Sequence, residues 1–178
     1  MAGERDLVAF CGDVQGRLTG SLTLYLGDRL AAEELAQETL VRVVERWSTV
    51  STMDAAEAWT YRVAFNLARS RFRRRAAERR AQARWAERGA APASELPDVA
   101  SALAVRAAVL ALPERQRAVL VARFYADLSV AQTAAALGIA PGTVKAHTHR
   151  AVQALRARGL IAETDTDTDT EVDDAPTH

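Results

Sequence analysis

Cysteine is almost absent from this chain of 178 residues, and because Cys11 stands alone, no disulfide can form within the chain. Long apolar runs are also missing. The longest, such as residues 107–112, are far shorter than the roughly 20 residues that a membrane-spanning helix needs. Nothing at the start of the chain resembles a secretion signal. We therefore expect a cytoplasmic protein without membrane insertion, whose hydrophobic content of 49% is enough to form a core.

The sequence also lacks the usual marks of an enzyme. It contains no glycine-rich phosphate loop, no paired-carboxylate signature and no nucleophile elbow, and Cys11 has no histidine partner in a catalytic pattern. His147 and His149 are two residues apart, so on a helix they point about 200° apart and do not converge on one metal ion. We expect no catalytic, cofactor or metal site.

The net charge of zero conceals an uneven distribution of charge. Seven of the 23 acidic residues lie between residues 163 and 174, in a tail without lysine or arginine, which leaves 16 acids against 23 bases, or +7, in the rest of the chain. Such a body favours a polyanionic partner, although an acidic tail can also serve solubility alone. The Thr-Asp repeats predict a disordered tail. One hypothesis is that this tail folds back on the basic faces as a DNA decoy; the simpler one is that it is solvated.

Apolar periodicity predicts an all-α fold of two small helical domains joined by a flexible linker. Within residues 6–80, apolar residues recur three and four positions apart, which predicts helices. Residues 89–98 contain two prolines and cannot sustain a helix. Residues 99–159 again have the helical pattern. We assign residues 1–82 to the first domain, 83–101 to the linker, 102–160 to the second domain and 161–178 to a disordered acidic tail.

Residues 31–47 predict an amphipathic helix with one charged face. The apolar stripe consists of Ala32, Leu35, Ala36, Leu40, Val43 and Trp47, and the opposite face carries Glu34, Glu38, Arg42 and Glu45. Glu38 precedes Arg42 by four residues, which is the favourable order for a helical ion pair. Simple solvation of a surface helix is enough to explain this face when it is taken alone.

Residues 58–75 predict a second amphipathic helix, whose outer face is basic and aromatic. Its core stripe consists of Tyr61, Ala64, Phe65, Ala68 and Phe72, and its second stripe of Trp59, Arg62, Asn66, Arg69 and Arg73. Ten arginines lie between residues 62 and 88, against two glutamates. Cations that hold phosphates beside an indole that stacks on a base are typical of single-stranded nucleic acid binding. The alternative is a solvated basic face with Trp59 in the core.

Residues 128–158 predict a helix-turn-helix inside the second domain. Ser129 is a suitable N-cap, Gly138 can adopt the left-handed turn conformation, and Pro141 can open the next helix. On that helix Val144, Thr148, Ala151 and Leu155 should face inward, and the outward residues should be Thr143, Ala146, His147, His149, Arg150 and Gln153, with Lys145 at the flank. The outward side chains suit a DNA major groove, although a helix-turn-helix can also pack only against protein.

Taken together, these motifs resemble the extracytoplasmic-function group of bacterial sigma factors, in the sigma-70 superfamily. Residues 31–43 (AAEELAQETLVRV) with Trp47 resemble region 2.2, and residues 59–68 (WTYRVAFNLA) with the arginines that follow resemble regions 2.3 and 2.4. Residues 112–117 (LPERQR) through 142–145 (GTVK) resemble region 4. The resemblance covers about residues 6–160. No part of the sequence resembles region 1.1 or a full region 3, which is typical of the extracytoplasmic-function group.

The resemblance implies a transcription initiation factor that joins core RNA polymerase, recognises promoter DNA and promotes its melting. The clamp of the largest subunit would contact Glu34, Gln37, Glu38 and Arg42, and the minus-10 element would contact Trp59, Arg62, Asn66, Arg69 and Arg73. The minus-35 element would contact Arg123, Thr143, Lys145, Ala146, His147, His149 and Arg150. Residues 48–57 would capture a flipped base, and the flap of the other large subunit would bind the second domain. An anti-sigma factor is a further candidate partner.

The chain departs from the family pattern at the recognition helix. Ala140 stands where the family usually has a capping serine, and residues 146–148 read Ala-His-Thr where Ser-Arg-Leu is frequent. The preferred DNA sequence therefore stays open. Two other functions also remain: a stand-alone helix-turn-helix regulator that binds duplex DNA without polymerase, and a regulatory protein that binds another protein through these faces.

Overall fold

The computed structural model describes residues 6–85 and 100–161, which fold into α-helices joined by short connections. The helices are α1 (Leu7–Leu26), α2 (Arg29–Glu45), α3 (Trp47–Val50), α4 (Ala56–Trp85), α5 (Ala100–Leu110), α6 (Glu114–Phe124), α7 (Val130–Leu137) and α8 (Pro141–Arg156). The predicted all-α class is confirmed. Most of the predicted linker and nearly all of the predicted acidic tail lie outside the described residues. We call α1–α4 the N-terminal half and α5–α8 the C-terminal half.

Local sequence determines where α1 and α2 meet. The Asp6 carboxylate accepts a hydrogen bond from the Val8 N–H and begins α1. Gly27 ends this helix with a φ of 75°, a left-handed conformation that glycine adopts without steric cost. Asp28 follows at once as the N-cap of α2 and accepts from the Ala31 N–H across 3.0 Å. The two helices therefore form an antiparallel hairpin with a very short connection.

The core of the N-terminal half is built around Tyr25. Leu18, Leu22 and Tyr25 of α1 are fully buried. The Tyr25 ring meets the rings of Phe65 and Phe72 on α4 edge to face, each with centroids 5.3 Å apart. Such pairs add about 0.5–1.5 kcal/mol beyond the area they bury. The spacing of α1 apolar residues thus selects the side of α4 that faces inward.

The predicted apolar stripes are buried, except for Leu40, Trp47 and Phe72, which are partly buried. On α2 the buried members are Ala32, Leu35, Ala36 and Val43, and on α4 they are Tyr61, Ala64, Phe65 and Ala68. Leu40 and Phe72 are half-buried against the core. Trp47 belongs to the separate short helix α3, because α2 ends at Glu45, and its ring packs on Phe10 with centroids 5.4 Å apart.

The C-terminal half packs around α6, whose residues 118–122 are all buried. Val144, Ala151 and Leu155 of α8 face this core, as the sequence predicts. Thr148 is only half-buried, and its hydroxyl, although shielded from solvent, has no hydrogen-bond partner among the described residues. A hydroxyl therefore occupies a position where an aliphatic side chain would pack without this cost.

The two halves are not separate in this structure, because α7 packs along α4 and α6 packs against α1. Their buried residues form one continuous hydrophobic cluster. The two halves approach closely at Gly20 of α1, where even a single Cβ atom would overlap the ring of Tyr125. The sequence predicts two helical domains but not this contact between them.

Candidate nucleic-acid interface

The charged face of α2 is exposed, as predicted. Glu34, Gln37, Glu38 and Arg42 all lie at the surface. The Arg42 guanidinium donates to the Glu38 carboxylate across 2.7 Å, which is the predicted helical pair, and Arg71 of α4 donates to Glu34 across 3.0 Å. Exposed pairs of this kind contribute about 0–1 kcal/mol each. These charged groups can therefore exchange their present partners for those of another macromolecule at low cost.

Sequence reasoning missed three apolar residues on the same helix. Leu30, Val41 and Val44 are 68%, 55% and 51% exposed. Positions 30, 34, 37, 41 and 44 follow one another at intervals of three and four, so Leu30, Val41 and Val44 share a face with Glu34 and Gln37. This spacing is visible in the sequence and could have revealed them. Exposed apolar side chains rimmed by charge are typical of a protein-binding surface.

The basic face of α4 is partly open and partly occupied. Arg62, Asn66 and Arg73 are exposed, and Trp59 is half-buried. Arg69 is also half-buried, because its guanidinium donates to the main-chain carbonyl of Leu137 at the C-terminal end of α7, across 2.7 Å. Four of the five predicted nucleic-acid contacts of this helix thus form an accessible stripe, whereas Arg69 is held by the C-terminal half.

A groove of about 510 Å³ between α2 and α4 brings two predicted sites together. Glu38 and Arg42 line it from α2, and Asn66 lines it from α4. Arg71, Arg74 and Arg75, with Ser70 and Glu78, complete its wall. The sequence places these residues on two helices but does not show that they share one groove, which depends on how the helices pack.

An ion pair fixes the angle between these helices at one end of the groove. Arg75 of α4 donates to the Asp28 carboxylate across 3.1 Å. The pKa of Asp28 lies below its usual value, chiefly because its carboxylate accepts from the Ala31 N–H and also because it pairs with Arg75. Asp28 therefore links the start of α2 to the basic helix.

The predicted base-capture segment, residues 48–57, contains most of α3 and the start of α4. It borders a second cavity of about 370 Å³, whose lining includes Phe10, Asp13, Arg17, Asp54, Glu57 and Gln132. Arg17 forms an ion pair with Glu57 across this cavity's edge. An aromatic ring beside carboxylates offers a stacking surface and acceptors for base amino groups. Gln132 belongs to α7, so the C-terminal half lies at the edge of this cavity.

The helix-turn-helix forms as predicted. Ser129 caps α7 with a complete capping box: its hydroxyl accepts from the Gln132 N–H, and the Gln132 side chain accepts from the Ser129 N–H. Gly138 ends α7 in the left-handed region with a φ of 65°, and Pro141 occupies the first turn of α8. Ala140 is the N-cap of α8 and provides no side-chain hydrogen bond.

The outer face of α8 presents most of the predicted minus-35 contacts. Lys145, Ala146, His149 and Arg150 are exposed, whereas Thr143 and His147 are half-buried. Gln153, also exposed, contacts His149 with their nitrogens 3.3 Å apart. The δ nitrogen of His147 is shielded from solvent and lacks a hydrogen-bond partner among the described residues. His147 is thus turned partly toward the protein.

Arg123, a predicted phosphate contact, has a structural role in this fold. It lies in the last turn of α6, is half-buried and donates to the Leu128 carbonyl across 2.5 Å. This bond spans the turn that leads into α7. Asp127 in that turn has a φ of 55°, which is uncommon for a residue other than glycine. Arg123 therefore helps to hold the entry to the helix-turn-helix.

Other kinds of site are not found in the described part of the chain. Residues 6–85 and 100–161 contain no group of three histidine, cysteine, aspartate or glutamate side chains that could hold a metal ion. Within the same ranges, no helix is both long and apolar enough to cross a membrane.

Comparison with known proteins identifies the family. Residues 12–78 match the family model for sigma-70 region 2, and residues 102–155 match that for sigma-70 region 4. The chain belongs to the sigma-70 family, and its relatives are ECF sigma factors, so it is a promoter-specific transcription initiation factor that works with RNA polymerase. A stand-alone regulator is not favoured by these matches.

Two relatives and one solved structure illustrate the similarity. The chain is 32% identical to RNA polymerase sigma-E factor of Streptomyces coelicolor over 85% of its own length and 84% of the relative's. It is 36% identical to ECF RNA polymerase sigma factor SigL of Mycobacterium tuberculosis over 73% of its own length and 75% of the relative's. The solved structure of the sigma factor RpoE in complex with the anti-sigma factor NepR from Bartonella quintana aligns with a TM-score of 0.72 at 21% identity, covering 86% of this chain and 96% of that one. The structural likeness supports the fold.

Proposed function

We propose that each half of this chain contributes a separate surface to transcription initiation. The exposed face of α2, with Glu34, Gln37, Glu38 and Arg42, binds the clamp of core RNA polymerase. The apolar residues Leu30, Val41 and Val44 extend this contact, and they provide the desolvated centre that a charged rim alone lacks. The C-terminal half binds the flap of the other large subunit.

The minus-10 element is read by α4 and the adjoining cavity. Arg62, Arg69 and Arg73 hold phosphates, Trp59 stacks on a base, and Asn66 reads a base edge. The cavity beside residues 48–57 receives the base that is flipped from the melting strand. Flipping costs a few kcal/mol, so a stacking surface and hydrogen-bond acceptors are needed to stabilise the open state.

The minus-35 element is read by α8. Ala146, His149 and Arg150 face the major groove with the edge of His147, while Thr143 and Lys145 fix the register on phosphates. Arg123 adds a phosphate contact at the end of α6. These assignments rest on the exposure of the outer face of α8 and on the position of this helix after the turn of a helix-turn-helix.

The observation that carries the proposal is that one chain matches both sigma regions and leaves most of the predicted residues of α2, α4 and α8 accessible at the surface. The chain works in the cytoplasm and catalyses no covalent step; polymerase supplies the chemistry. RpoE, a sigma factor of similar fold, is described in complex with an anti-sigma factor. We infer that an anti-sigma factor is a candidate partner here too.

Runoff transcription tests the proposed function. Purified core polymerase from the host is combined with a pool of host promoter fragments, with and without this protein. Trp59→Ala should reduce specific transcripts about tenfold or more, because a base stack contributes about 1–3 kcal/mol. Arg62→Ala should also reduce them, because a phosphate contact is lost. Arg80→Ala, an exposed arginine further along the same helix, is the matched control. Duplex binding that is indifferent to polymerase would instead support a stand-alone regulator.

A further inference from the structure

The groove between α2 and α4 concentrates positive charge on a concave surface. Its charged lining consists of two glutamates, Glu38 and Glu78, and four arginines, Arg42, Arg71, Arg74 and Arg75. Arg74 is exposed, and in the described part of the chain it forms no ion pair. A cleft in which one sign of charge dominates focuses the electrostatic field and concentrates groups of the opposite sign. The groove is therefore suited to an acidic ligand.

The other arginines of the groove can bind a further carboxylate. Arg42, Arg71 and Arg75 each donate to one carboxylate of the protein, at distances of 2.7, 3.0 and 3.1 Å. A guanidinium has five N–H donors, so one such hydrogen bond leaves donors for a second acceptor. These ion pairs lie at the surface, where the exchange of one carboxylate for another costs little. The existing pairs therefore do not close the groove to an acidic segment.

The most acidic segment of this chain follows the last described residue. Residues 162–178 contain seven aspartates and glutamates and no lysine or arginine. Asp165, Asp167 and Asp169 alternate with threonines. Alternate residues of an extended chain share one face about 7 Å apart, and residues three or four apart on a helix lie about 5–6 Å apart. Arginine side chains are long enough to absorb this difference, so a row of such carboxylates can pair with the arginines along α4.

The start of this segment is connected to the groove by a short series of contacts. The Arg158 guanidinium donates to the Ala108 carbonyl across 3.0 Å, which holds the end of the described chain beside α5. At the end of α5, the Leu110 side chain lies 3.0 Å from the position that a Cβ atom on Gly27 would occupy. The next residue, Asp28, forms the ion pair at one end of the groove. Residues 162–178 can span about 55 Å when extended, which exceeds the width of about 40 Å of a body of this size.

We propose that the groove between α2 and α4 is a binding site for residues 162–178, whose carboxylates pair with the groove arginines in place of nucleic-acid phosphates. The docked segment covers Asn66, which lines the groove and belongs to the stripe of α4 that we propose binds the minus-10 element. Because the segment is tethered, its effective concentration is on the order of millimolar, so individually weak pairs are enough. Single-stranded DNA reaches this stripe only by displacing the segment. The docking stands on the groove alone, whereas the competition with DNA rests on the proposed function.

Paramagnetic relaxation enhancement locates the segment in the free, full-length protein. A spin label is attached at Thr168→Cys in a chain that carries Cys11→Ser, and amide signals are compared before and after the label is reduced. Amides that line the groove should be broadened, whereas those of Lys145 and Arg150 on α8 should not. Weak broadening spread over the whole surface, or broadening centred on α8, would overturn the proposal. Equal broadening of an isotope-labelled chain by a separate spin-labelled chain would assign the groove to a second copy and would overturn it too.

Charge changes on either side of the contact test its chemistry. Arg74→Glu should abolish the broadening, whereas Arg46→Glu should not, because this exposed arginine just after α2 does not line the groove. The two variants change the net charge equally. Asp165→Asn, Asp167→Asn and Asp169→Asn in one chain should also release the segment, and they leave every described residue unchanged. Broadening that survives in both Arg74→Glu and the triple variant, or that is lost equally in Arg46→Glu, would show that the groove charge does not hold the segment.

Binding of a fluorescent oligothymidylate measures the consequence for DNA. At low salt the apparent Kd of the triple variant should be about fivefold lower than that of the wild-type chain, which corresponds to a segment that is docked about four-fifths of the time. At about 1 M salt the two values should converge, because the Debye length is then only about 3 Å. In a chain that also carries Arg74→Glu, the three asparagines should change the Kd little. An equal gain there would mean a general effect of charge and would overturn the competition with DNA.

The outcomes separate this inference from the proposed function. If the groove amides are not broadened while the chain supports promoter-specific transcription, the docking is wrong and the proposed function stands. If the groove amides are broadened but the wild-type and triple-variant chains bind the oligonucleotide equally at low salt, the docking stands. The proposed minus-10 surface on α4 is then wrong, because DNA binds without displacing the segment.

Discussion

At the scale of the residue, several side chains in this protein serve both the fold and its surface. Arg69 donates to a carbonyl of α7 and lies on the stripe of α4 that we propose binds the minus-10 element, and Arg123 donates to the Leu128 carbonyl across the turn before α7. Asp28 starts α2 and anchors Arg75 of the basic helix. Substitution of such a residue changes stability as well as binding, so its effect on DNA affinity has to be separated from its effect on folding.

Asp28 provides a prediction for stability. Asp28→Ala should lower the free energy of unfolding by about 1 kcal/mol, because the N-cap of α2 is lost. Asp28→Asn, which can still cap but carries no charge, should lose only the exposed pair with Arg75, worth about 0–1 kcal/mol. Urea denaturation at pH 7 measures both. Equal losses in the two variants would show that the Arg75 pair, and not the cap, stabilises this junction.

The same residue gives a pH dependence. The folded pKa of Asp28 is lowered, so its contribution is fully present above the unfolded value of about 3.9 and is lost as pH falls through the folded value. The stability difference between wild type and Asp28→Asn should therefore shrink as the pH is lowered from 5 toward 2. A difference that stays constant over this range would contradict the carboxylate's role.

At the scale of the element, helix boundaries follow rules that the sequence makes visible, with one departure. The helix α7 begins with a complete capping box at Ser129, whereas α8 begins at Ala140 without a side-chain cap. Both helices are short enough for their ends to matter, because the orphan N–H groups of a helix start need partners. The first turn of α8 is therefore stabilised less by side-chain capping than the first turn of α7.

Adding a side-chain cap to α8 and removing the one on α7 tests how much each helix start contributes to stability. Ala140→Ser should raise the free energy of unfolding by about 1 kcal/mol, since Ala140 already has the extended backbone conformation of an N-cap. Ser129→Ala should lower it by a similar amount. Thermal or urea unfolding of the three proteins measures both effects. No gain from Ala140→Ser would mean that the first turn of α8 is satisfied in another way.

The exposed face of α2 gives a prediction for binding. Val41→Asp should weaken the affinity for core polymerase tenfold or more, because a charge replaces an apolar group at the centre of the proposed contact. Val105→Asp, at a valine of α5 with similar exposure, is the matched control and should have a smaller effect. Fluorescence titration with core polymerase measures both. If both variants weaken the affinity for core polymerase equally, the exposed face of α2 is not a specific part of the interface.

At the scale of the whole molecule, the continuous hydrophobic cluster joins the two halves. A shared core couples their unfolding, because neither half can lose its packing without exposing part of the other. We therefore expect the free chain to unfold as one cooperative unit.

The three tryptophans, at positions 47, 59 and 85, all precede α5, which allows a test of this coupling. Tryptophan fluorescence follows the N-terminal half, whereas far-ultraviolet circular dichroism follows helices in both halves. In the wild-type chain the two urea transitions should coincide, and in Glu114→Arg, which removes the hydrogen bond that the Tyr25 hydroxyl donates to Glu114 between the two halves, they should separate. Separate transitions in the wild-type chain would show that the two halves unfold independently.

The helical class, the apolar stripes of α2 and α4, the caps Ser129 and Gly138 and the start of α8 at Pro141 can all be predicted from the sequence, because they depend on residues a few positions apart. It also placed the charged face of α2 on the surface. Tertiary structure alone decided that Arg69 meets Leu137, that Tyr125 fits over Gly20 and that α2 and α4 share a groove. These contacts join residues 24 to 105 positions apart, and their geometry depends on the packing of whole helices, which local periodicity does not encode.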